Sequence, residues 1–204
     1  MISNTLTQGK RQAILDAGRR MFITHGYSTV SMDAIAEAAP VSKPTLYKHF
    51  KGKQALFAAV IEAHCQTLLS AVKTQQAQHL DPEAGLKAIA HAFIDTLYAE
   101  DALQLYRLMI AEQQQFPELG QLVFTVGAEP VLAQLAAYLE ELDRQGILGI
   151  TDIALASQLF FGMLKGDCHL RCLLGLQNGL SDLEKQQLID ASVALFLKGY
   201  GYAR

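Results

Sequence analysis

Residues 41–50 combine basic, hydroxyl-bearing and apolar side chains at the spacing of one short amphipathic helix, VSKPTLYKHF. The apolar positions that can face inward on such a helix are Val41, Leu46 and Phe50. The positions that this leaves outward are Lys43, Pro44, Thr45, Tyr47 and Lys48. Ammonium, hydroxyl and phenol groups in a row suit the phosphates and base edges of a nucleic acid. The spacing therefore predicts a helix that presents a polar face to the major groove of DNA.

Each outward side chain suits a particular contact. Thr45 offers a hydroxyl for a base edge and a methyl for a thymine methyl, and Lys43 suits guanine or a phosphate. Tyr47 and Lys48 suit the DNA backbone, and Lys53 begins the next helix, where it can meet a phosphate. Hydroxyls that precede a helix lie near its anion-attracting amides. The predicted DNA contacts are Thr29, Ser31, Ser42, Lys43, Pro44, Thr45, Tyr47, Lys48, His49 and Lys53.

The elements that must position this face lie immediately before it. Ser31 caps a short helix that Pro40 ends, and Ser42 caps a second helix that runs to about His49. The apolar side of the first helix consists of Ile35, Ala36 and Ala39. Two short helices joined by a tight turn have the geometry of a helix-turn-helix, whose second helix enters the major groove. The alternative is that Tyr47 is half-buried packing and that the lysines form an ordinary solvated face.

The charge distribution favours the DNA-binding interpretation. Residues 1–57 contain eight Lys or Arg and three Asp or Glu, a net charge of +5. Residues 58–204 contain nine and seventeen, a net charge of −8, so the chain total is −3. A small basic segment joined to an acidic body indicates that the first segment faces a polyanion, unless the difference is ordinary surface variation.

The rest of the chain also predicts helices, because Leu, Ala and Gln are abundant and β-branched clusters between turn residues are scarce. The predicted helices outside the helix-turn-helix are Gln8 to His25, a long one after Gly52, about 82–99, 101–115, 117–146 with an interruption near Gly127 and Pro130, Thr151 to Gln177, and 182–199 behind a Ser181–Glu184 capping box. We therefore expect an all-α fold of about nine helices. The expected domains are 1–57, which binds DNA, and 58–204, which binds a ligand and dimerises.

The helix predicted after Thr151 is apolar on more than one side, as is typical of a helix with two buried faces. Its apolar residues are Leu155, Leu159, Phe160, Phe161, Met163, Leu164, Leu170, Cys172, Leu173 and Leu174. One face can meet its own domain and the other a second subunit. We expect a homodimer through about 152–177 and 182–199, with burial inside one monomer as the alternative.

Aromatic residues, methionines and a few polar groups recur along residues 93–167, and adaptable side chains of this kind can line an apolar pocket. The candidate pocket residues are Phe93, Tyr98, Tyr106, Arg107, Met109, Ile110, Phe124, Phe160, Met163 and Asp167. We expect a small, largely apolar effector with a polar anchor from Arg107, Asp167 or His169. The alternative is that these residues are simple hydrophobic core.

Other classes of site have little support in the sequence. Asp167, Cys168, His169 and Cys172 form the one metal-like cluster, but His169 points away from the cysteines on a helix, so core packing is preferred to a metal or redox site. Catalytic motifs are absent, so we expect neither an enzyme nor a cofactor. Charged or amide side chains interrupt every apolar run, and residues 1–11 lack a signal-peptide core, so we expect a cytoplasmic protein outside the membrane.

The segment from Gly9 to Phe57 resembles the N-terminal domain of TetR/AcrR-type bacterial regulators. The matching residues are Ile14 to Phe22, Gly26-Tyr27, Thr29-Val30, Ile35-Ala36, Val41-Ser42, Thr45-Leu46-Tyr47, Phe50, Lys53 and Leu56-Phe57. Two positions depart from that pattern, because the family commonly has glycine at Pro40 and another small residue at Pro44. Residues 103–162 resemble an AefR-like C-terminal domain, through Glu112, Phe116 to Leu119 and Leu135 to Leu139.

The resemblance implies a homodimer that binds an operator in double-stranded DNA, usually represses, and is released by a small molecule. On this hypothesis, a ligand among the helices of 82–177 shifts the base of the helix after Gly52 and changes the spacing of two reading heads. A rival hypothesis is a helical ligand-binding or scaffolding protein that does not bind DNA. A third keeps DNA binding but makes metal or oxidant at Cys168 and Cys172 the signal.

Overall fold

The computed structural model describes residues 2–78 and 81–202, which form helices and no strand in that part of the chain. The helices are α1 (Ile2–His25), α2 (Met32–Ala38), α3 (Lys43–His49), α4 (Lys53–Gln78), α5 (Pro82–Leu97), α6 (Glu100–Glu112), α7 (Pro117–Val123), α8 (Glu129–Arg144), α9 (Ile153–Leu173) and α10 (Asp182–Gly199). A π-turn over Phe124–Ala128 joins α7 to α8, so these two are the interrupted helix predicted over 117–146. The all-α prediction is confirmed.

The described residues divide into two compact units. The first comprises the chain up to His64 together with Gln104–Val126. The second comprises Cys65–Leu103 together with the described residues from Gly127 onward. Helix α4 therefore contributes residues to both units, and the boundary predicted after Phe57 falls seven residues before the change of unit within α4.

The core of the first unit is built from the inward faces of α1 to α4. The side chains of Ile14, Phe22, Ile35, Leu46 and Phe57 are completely buried in one cluster. Phe22 meets Phe57 edge to face, with ring centroids 5.3 Å apart. Since these rings come from α1 and α4, they fix the frame that carries the two short helices α2 and α3.

Side-chain caps set where the helices begin. Ser31 accepts a hydrogen bond from the Ala34 amide, and a capping box joins Ser181 to Glu184 at the start of α10, as predicted. Helix α9 departs from its prediction, because its cap is Asp152, one residue after Thr151. The Asp152 carboxylate accepts from the Leu155 amide at 2.9 Å.

In the second unit, α10 packs against α5 and α9, and α8 packs against α9. The buried side chains at these contacts include Ile89, Ile94, Leu135, Leu139, Phe160, Leu164, Val193 and Phe196. Phe93 stacks on Phe161 at 4.3 Å between centroids. Lys87 pairs with Asp190 at 2.8 Å, which adds a polar link between α5 and α10.

Helix α9 is kinked at Gly166, within the segment from Thr151 to Gln177 that the sequence predicts as one helix. Gly166 has φ 53° and ψ −163°, a backbone conformation that residues other than glycine rarely adopt. The buried Tyr98 hydroxyl donates to the Lys165 carbonyl at 2.5 Å and lies 3.5 Å from the Leu164 carbonyl. Tyr98 thereby satisfies a backbone acceptor at the kink.

Two helical stretches among the described residues are long and apolar enough to cross a membrane, Lys53–Gln75 and Pro117–Arg144. Charged or amide side chains interrupt both stretches, at Glu62 and Gln66 in the first and at Gln121, Glu129 and Gln134 in the second. Helices of globular cores pass the same test of length and hydropathy.

Candidate nucleic-acid interface

Helix α3 is held by its apolar side and capped by a serine. Leu46 is completely buried and Phe50, at the C-terminal cap, is buried, so both anchor α3 to the core of the first unit. Ser42 precedes the helix and accepts a hydrogen bond from the Thr45 amide at 3.3 Å. The predicted inward positions are thus confirmed for Leu46 and Phe50, while Val41 is half-buried.

The opposite side of α3 carries the side chains that were predicted to meet DNA. Lys43, Pro44 and Lys48 are exposed, and Tyr47 is 50% exposed despite its aromatic ring. Thr45 and His49 are half-buried. The exposed Tyr47 ring and the exposed lysines Lys43 and Lys48 of the same helix form a surface that suits phosphates and sugar edges.

Two of these side chains already have hydrogen-bond partners. The Lys43 ammonium contacts the Asp33 carboxylate of α2 at 2.6 Å, and this contact raises the pKa of Lys43. The Thr45 hydroxyl lies 2.8 Å from the Ser42 hydroxyl. A hydroxyl has one donor and two acceptor sites, so this bond leaves the Thr45 hydroxyl, as well as its methyl, able to meet a base.

The turn between α2 and α3 has the hydrogen bonding of a Schellman motif with proline at its left-handed position. The Val41 amide donates to the Ala36 carbonyl at 3.0 Å, which is the long bond of that motif. Pro40 has φ 21°, in the left-handed region that favours glycine. Proline also lacks the N–H that would close the shorter bond of the motif. The departure from the family pattern at this position therefore has a backbone consequence.

Lys53 is turned toward the protein backbone. Its ammonium donates to the Tyr27 carbonyl at 2.7 Å and lies 4.5 Å from the centre of the Tyr27 ring. Burial lowers the pKa of Lys53, and the Glu112 carboxylate opposes that shift. These contacts hold the turn after α1, and the phosphate contact of Lys53 stays a prediction.

Glu112 supports the same turn from the end of α6. Its carboxylate accepts from the Ser28 amide at 3.0 Å and from the Ser28 hydroxyl at 2.9 Å. Gly26 in this turn has φ 86°, and a Cβ added there would lie 3.0 Å from the same carboxylate. Sequence reasoning identified Glu112 only through the family resemblance, because a contact across 84 residues has no local signal.

The two predicted hydroxyls before α2 are exposed and engaged locally. The Thr29 hydroxyl donates to the His25 carbonyl, and Ser31 caps α2. Arg11, which sequence reasoning missed, is also exposed and places its guanidinium 5.3 Å from the centre of the Phe50 ring. The net positive charge of residues 1–57 was the signal that could have drawn attention to Arg11.

The ten candidate pocket residues are distributed over both units. Tyr106, Arg107, Met109, Ile110 and Phe124 belong to the first unit, and Phe93, Tyr98, Phe160, Met163 and Asp167 belong to the second. Phe160 is completely buried and Phe93 nearly so, whereas Ile110 is 61% and Phe124 51% exposed. Within either unit taken alone, the structure assembles at most half of the predicted lining.

The Asp167–Cys172 segment has the geometry of packing and surface pairing. Asp167 pairs with Arg171 at 2.9 Å, and the buried His169 meets Tyr98 edge to face. Burial and the Asp167 carboxylate raise the pKa of the Cys168 thiol, which disfavours the reactive thiolate. Among the described residues, no group of three or more His, Cys, Asp or Glu side chains is placed to hold a metal ion.

Comparison with known proteins finds two family matches along the chain. Residues 14–60 match the family described as bacterial regulatory proteins, tetR family. Residues 84–202 match the family described as AefR-like transcriptional repressor, C-terminal domain.

Among solved structures, a TetR-family transcriptional regulator from Mesorhizobium loti is similar at 32% identity and a TM-score of 0.81, over 96% of this chain and 98% of that one. The flavonoid-responsive regulator FrrA is also 32% identical, with a TM-score of 0.73 over 95% and 98%. The transcriptional activator FasR of Mycolicibacterium smegmatis is 38% identical over 100 residues, which span 49% of this chain and 45% of that protein.

Proposed function

Since the chain belongs to the TetR family of bacterial transcriptional regulators, with an AefR-like C-terminal domain, we propose that it is a dimeric repressor released from its operator by a small, largely apolar molecule. It is a DNA-binding regulator, not an enzyme. The observation that carries DNA binding is the outward face of α3. Lys43, Tyr47 and Lys48 are exposed there, while Leu46 on the opposite side is completely buried. We also propose a cytoplasmic location, because a regulator of transcription must reach the chromosomal DNA.

On this proposal, the residues of α3 divide the work. Tyr47 and Lys48 bind the DNA backbone, and Lys43 and the Thr45 methyl read base edges in the major groove. Ser42 keeps its position as the cap that sets the start of α3. The turns that position α3 are held by Lys53, Thr29 and Ser31.

Fluorescence anisotropy tests the DNA contact, with the upstream intergenic duplex of the protein's own gene against a scrambled duplex. We expect competitor-resistant binding whose affinity falls steeply with salt, because each neutralised phosphate releases counterions. Lys48→Ala should flatten the salt dependence by about one phosphate contact, while Lys73→Ala, an exposed lysine of the second unit outside the proposed dimer helices, should leave it unchanged. Equal binding of both duplexes by the parent protein would favour a scaffolding or ligand-binding role without an operator.

The dimer proposal is supported by unpartnered leucines on α9 and α10. The exposed leucines are Leu155, Leu159 and Leu170 of α9, Leu174 at its C-terminal cap, and Leu183 and Leu195 of α10, each between 48% and 67% exposed. The opposite side of α9 is buried within its own unit, through residues that include Phe160 and Leu164. A helix that is apolar on both sides needs a second partner, and a second copy of the same two helices supplies it.

Charge introduced on this surface tests the dimer. Leu159→Glu should convert a dimer to monomers in analytical ultracentrifugation, because each interface would then bury two unpaired carboxylates. Ile110→Glu is the control, since Ile110 is also an exposed aliphatic residue, at 61% against 49% for Leu159, but lies in the first unit. A parent protein that sediments as a monomer at micromolar concentration would contradict the dimer.

We propose a largely apolar effector because the helical domain offers aromatic and aliphatic side chains with few polar anchors. The name of FrrA, which is 32% identical over nearly the whole chain, describes a response to flavonoids, and these are aromatic molecules of this class. Release of the labelled operator by a panel of flavonoids and fatty acids tests the idea. A panel without any effect on DNA affinity would contradict release by an apolar effector, because a ligand shifts an equilibrium only through different affinities for its states.

Activation is the second candidate mode of regulation. It is favoured by the match to FasR, which is described as an activator, although that match covers 45% of its length. Repression is favoured by the description of the matched C-terminal family as a repressor domain. A promoter fusion measured with and without the gene distinguishes the two, because loss of the protein raises expression in the first case and lowers it in the second.

A further inference from the structure

An ion pair links the two helices of the helix-turn-helix at the residue that begins α3. The Lys43 ammonium lies 2.6 Å from the Asp33 carboxylate, ten residues earlier in α2. Both side chains remain more than half exposed, at 58% and 53%. The pair therefore lies on the surface of α2 and α3 and leaves Lys43 within reach of an external acceptor.

The position of Lys43 explains why a carboxylate stands beside it. The N-terminus of a helix carries a partial positive charge, which repels a cation in the first turn. The first turn of α3 contains Lys43 and no acidic residue. Asp33 thus supplies from α2 the negative charge that the first turn of α3 lacks.

An exposed pair of this kind is easily exchanged for another acceptor. Surface ion pairs contribute little net stability, because water and salt screen them and ordering two side chains has an entropic cost. Asp33 is therefore a weak competitor for the Lys43 ammonium. A phosphate or a guanine edge that approaches α3 must displace Asp33 or share the ammonium with it.

We propose that Asp33 is a specificity-determining residue that acts through Lys43, by competing with DNA for its ammonium group. This inference rests on the proposed function of α3 in reading DNA. Phosphates occur at every position along DNA, whatever its sequence. A lysine without an ion-pair partner would therefore strengthen binding to any sequence. Pairing with Asp33 removes part of that indiscriminate gain, while a guanine edge placed against α3 offers two acceptors and recovers the contact. Asp33 is thus a positioning residue, and its effect is on the ratio of specific to non-specific affinity.

The experiment compares Asp33→Asn with Glu37→Gln, in the parent chain and in a Lys43→Ala background. Each substitution removes one negative charge from α2, and Glu37 is near Lys43 without a hydrogen bond to it. Affinities for the operator and for a scrambled duplex are measured by anisotropy at several salt concentrations. Thermal melts of each variant establish that it folds, and Asp33→Glu, which keeps the charge, serves as the conservative variant.

We expect Asp33→Asn to strengthen binding to the scrambled duplex by roughly twofold to fivefold, the range typical of an exposed ion pair, and binding to the operator by less. The salt dependence on scrambled DNA should steepen by up to about one phosphate contact. Asp33→Glu should restore most of the discrimination, and in the Lys43→Ala background Asp33→Asn should change nothing.

Three outcomes overturn the inference. Equal effects of Asp33→Asn and Glu37→Gln would mean that net charge alone acts on DNA. Persistence of the Asp33→Asn effect without Lys43 would mean direct repulsion between Asp33 and DNA. A parent chain that binds no duplex would remove the proposed function and this inference together, whereas normal operator binding with either of the first two outcomes removes the inference alone.

Discussion

Replacing Pro40 with glycine should stabilise this protein, although it removes the residue that most restricts the turn between α2 and α3. Pro40 occupies the left-handed position of a Schellman motif with φ 21°, far from the value near −65° that a proline ring prefers. Glycine adopts this region without steric cost and restores the N–H that the motif uses for its second bond.

The magnitude follows from three contributions. A residue held in a sparsely populated backbone region costs about 1–3 kcal/mol, and a regained backbone hydrogen bond contributes about 1 kcal/mol. Against these, exchanging proline for glycine gives the unfolded chain more freedom, which costs about 1–2 kcal/mol. The balance is a gain of about 1 kcal/mol in the free energy of unfolding, or roughly 2–4 °C in Tm for a chain of this size.

Urea and thermal denaturation at one fixed protein concentration measure the change, since an associating protein melts at a concentration-dependent temperature. Pro44→Gly is the matched control, because Pro44 lies in the first turn of α3, where proline is well suited. We expect Pro44→Gly to destabilise by about 1 kcal/mol. If Pro40→Gly lowers stability as much as Pro44→Gly, the reasoning about strain in this turn is refuted.

Three further perturbations test other parts of the account. Gly166→Ala should destabilise by about 1–3 kcal/mol in urea melts because of its backbone conformation, while Gly120→Ala, at an exposed position of α7, should be neutral or slightly stabilising. Burial lowers the pKa of His169 to about 4. The unfolded chain then binds a proton that the folded chain excludes, so the free energy of unfolding should fall between pH 7 and 5 by up to about 2 kcal/mol, and His169→Gln should flatten that dependence. Glu112→Ala should destabilise by about 1–2 kcal/mol, because the Ser28 amide and hydroxyl lose a charged acceptor, and equal melts for parent and variant would contradict this role.

Local signals predicted the helix-turn-helix well. Ser31 and Ser42 cap the helices for which they were named, and Leu46 and Phe50 are buried where periodicity placed them. These features depend on residues within one or two turns of each other, so the sequence contains the information directly.

Long-range contacts could not be predicted in the same way. Lys53 bonds a carbonyl 26 residues earlier, and Glu112 bonds an amide 84 residues earlier, so neither role has a signature in local spacing. The kink at Gly166 was missed because a single glycine inside an apolar helix is also compatible with an unbroken one. Candidate pocket residues such as Ile110 and Phe160 are both apolar, yet Ile110 is exposed and Phe160 is buried. Apolar character alone does not determine which face of a helix is covered.

The most direct test of the central proposal is selection of bound duplexes from a random library by the purified protein, followed by sequencing. We predict enrichment of an inverted repeat whose half-sites are centred about one helical turn of DNA apart, or a multiple of it, because two α3 helices in a symmetric dimer must enter successive major grooves. Substituting Tyr47→Ala should weaken recovery of that repeat. A library that emerges without enrichment, or with a single half-site bound as tightly as the repeat, would contradict the proposal of a dimeric operator-binding regulator.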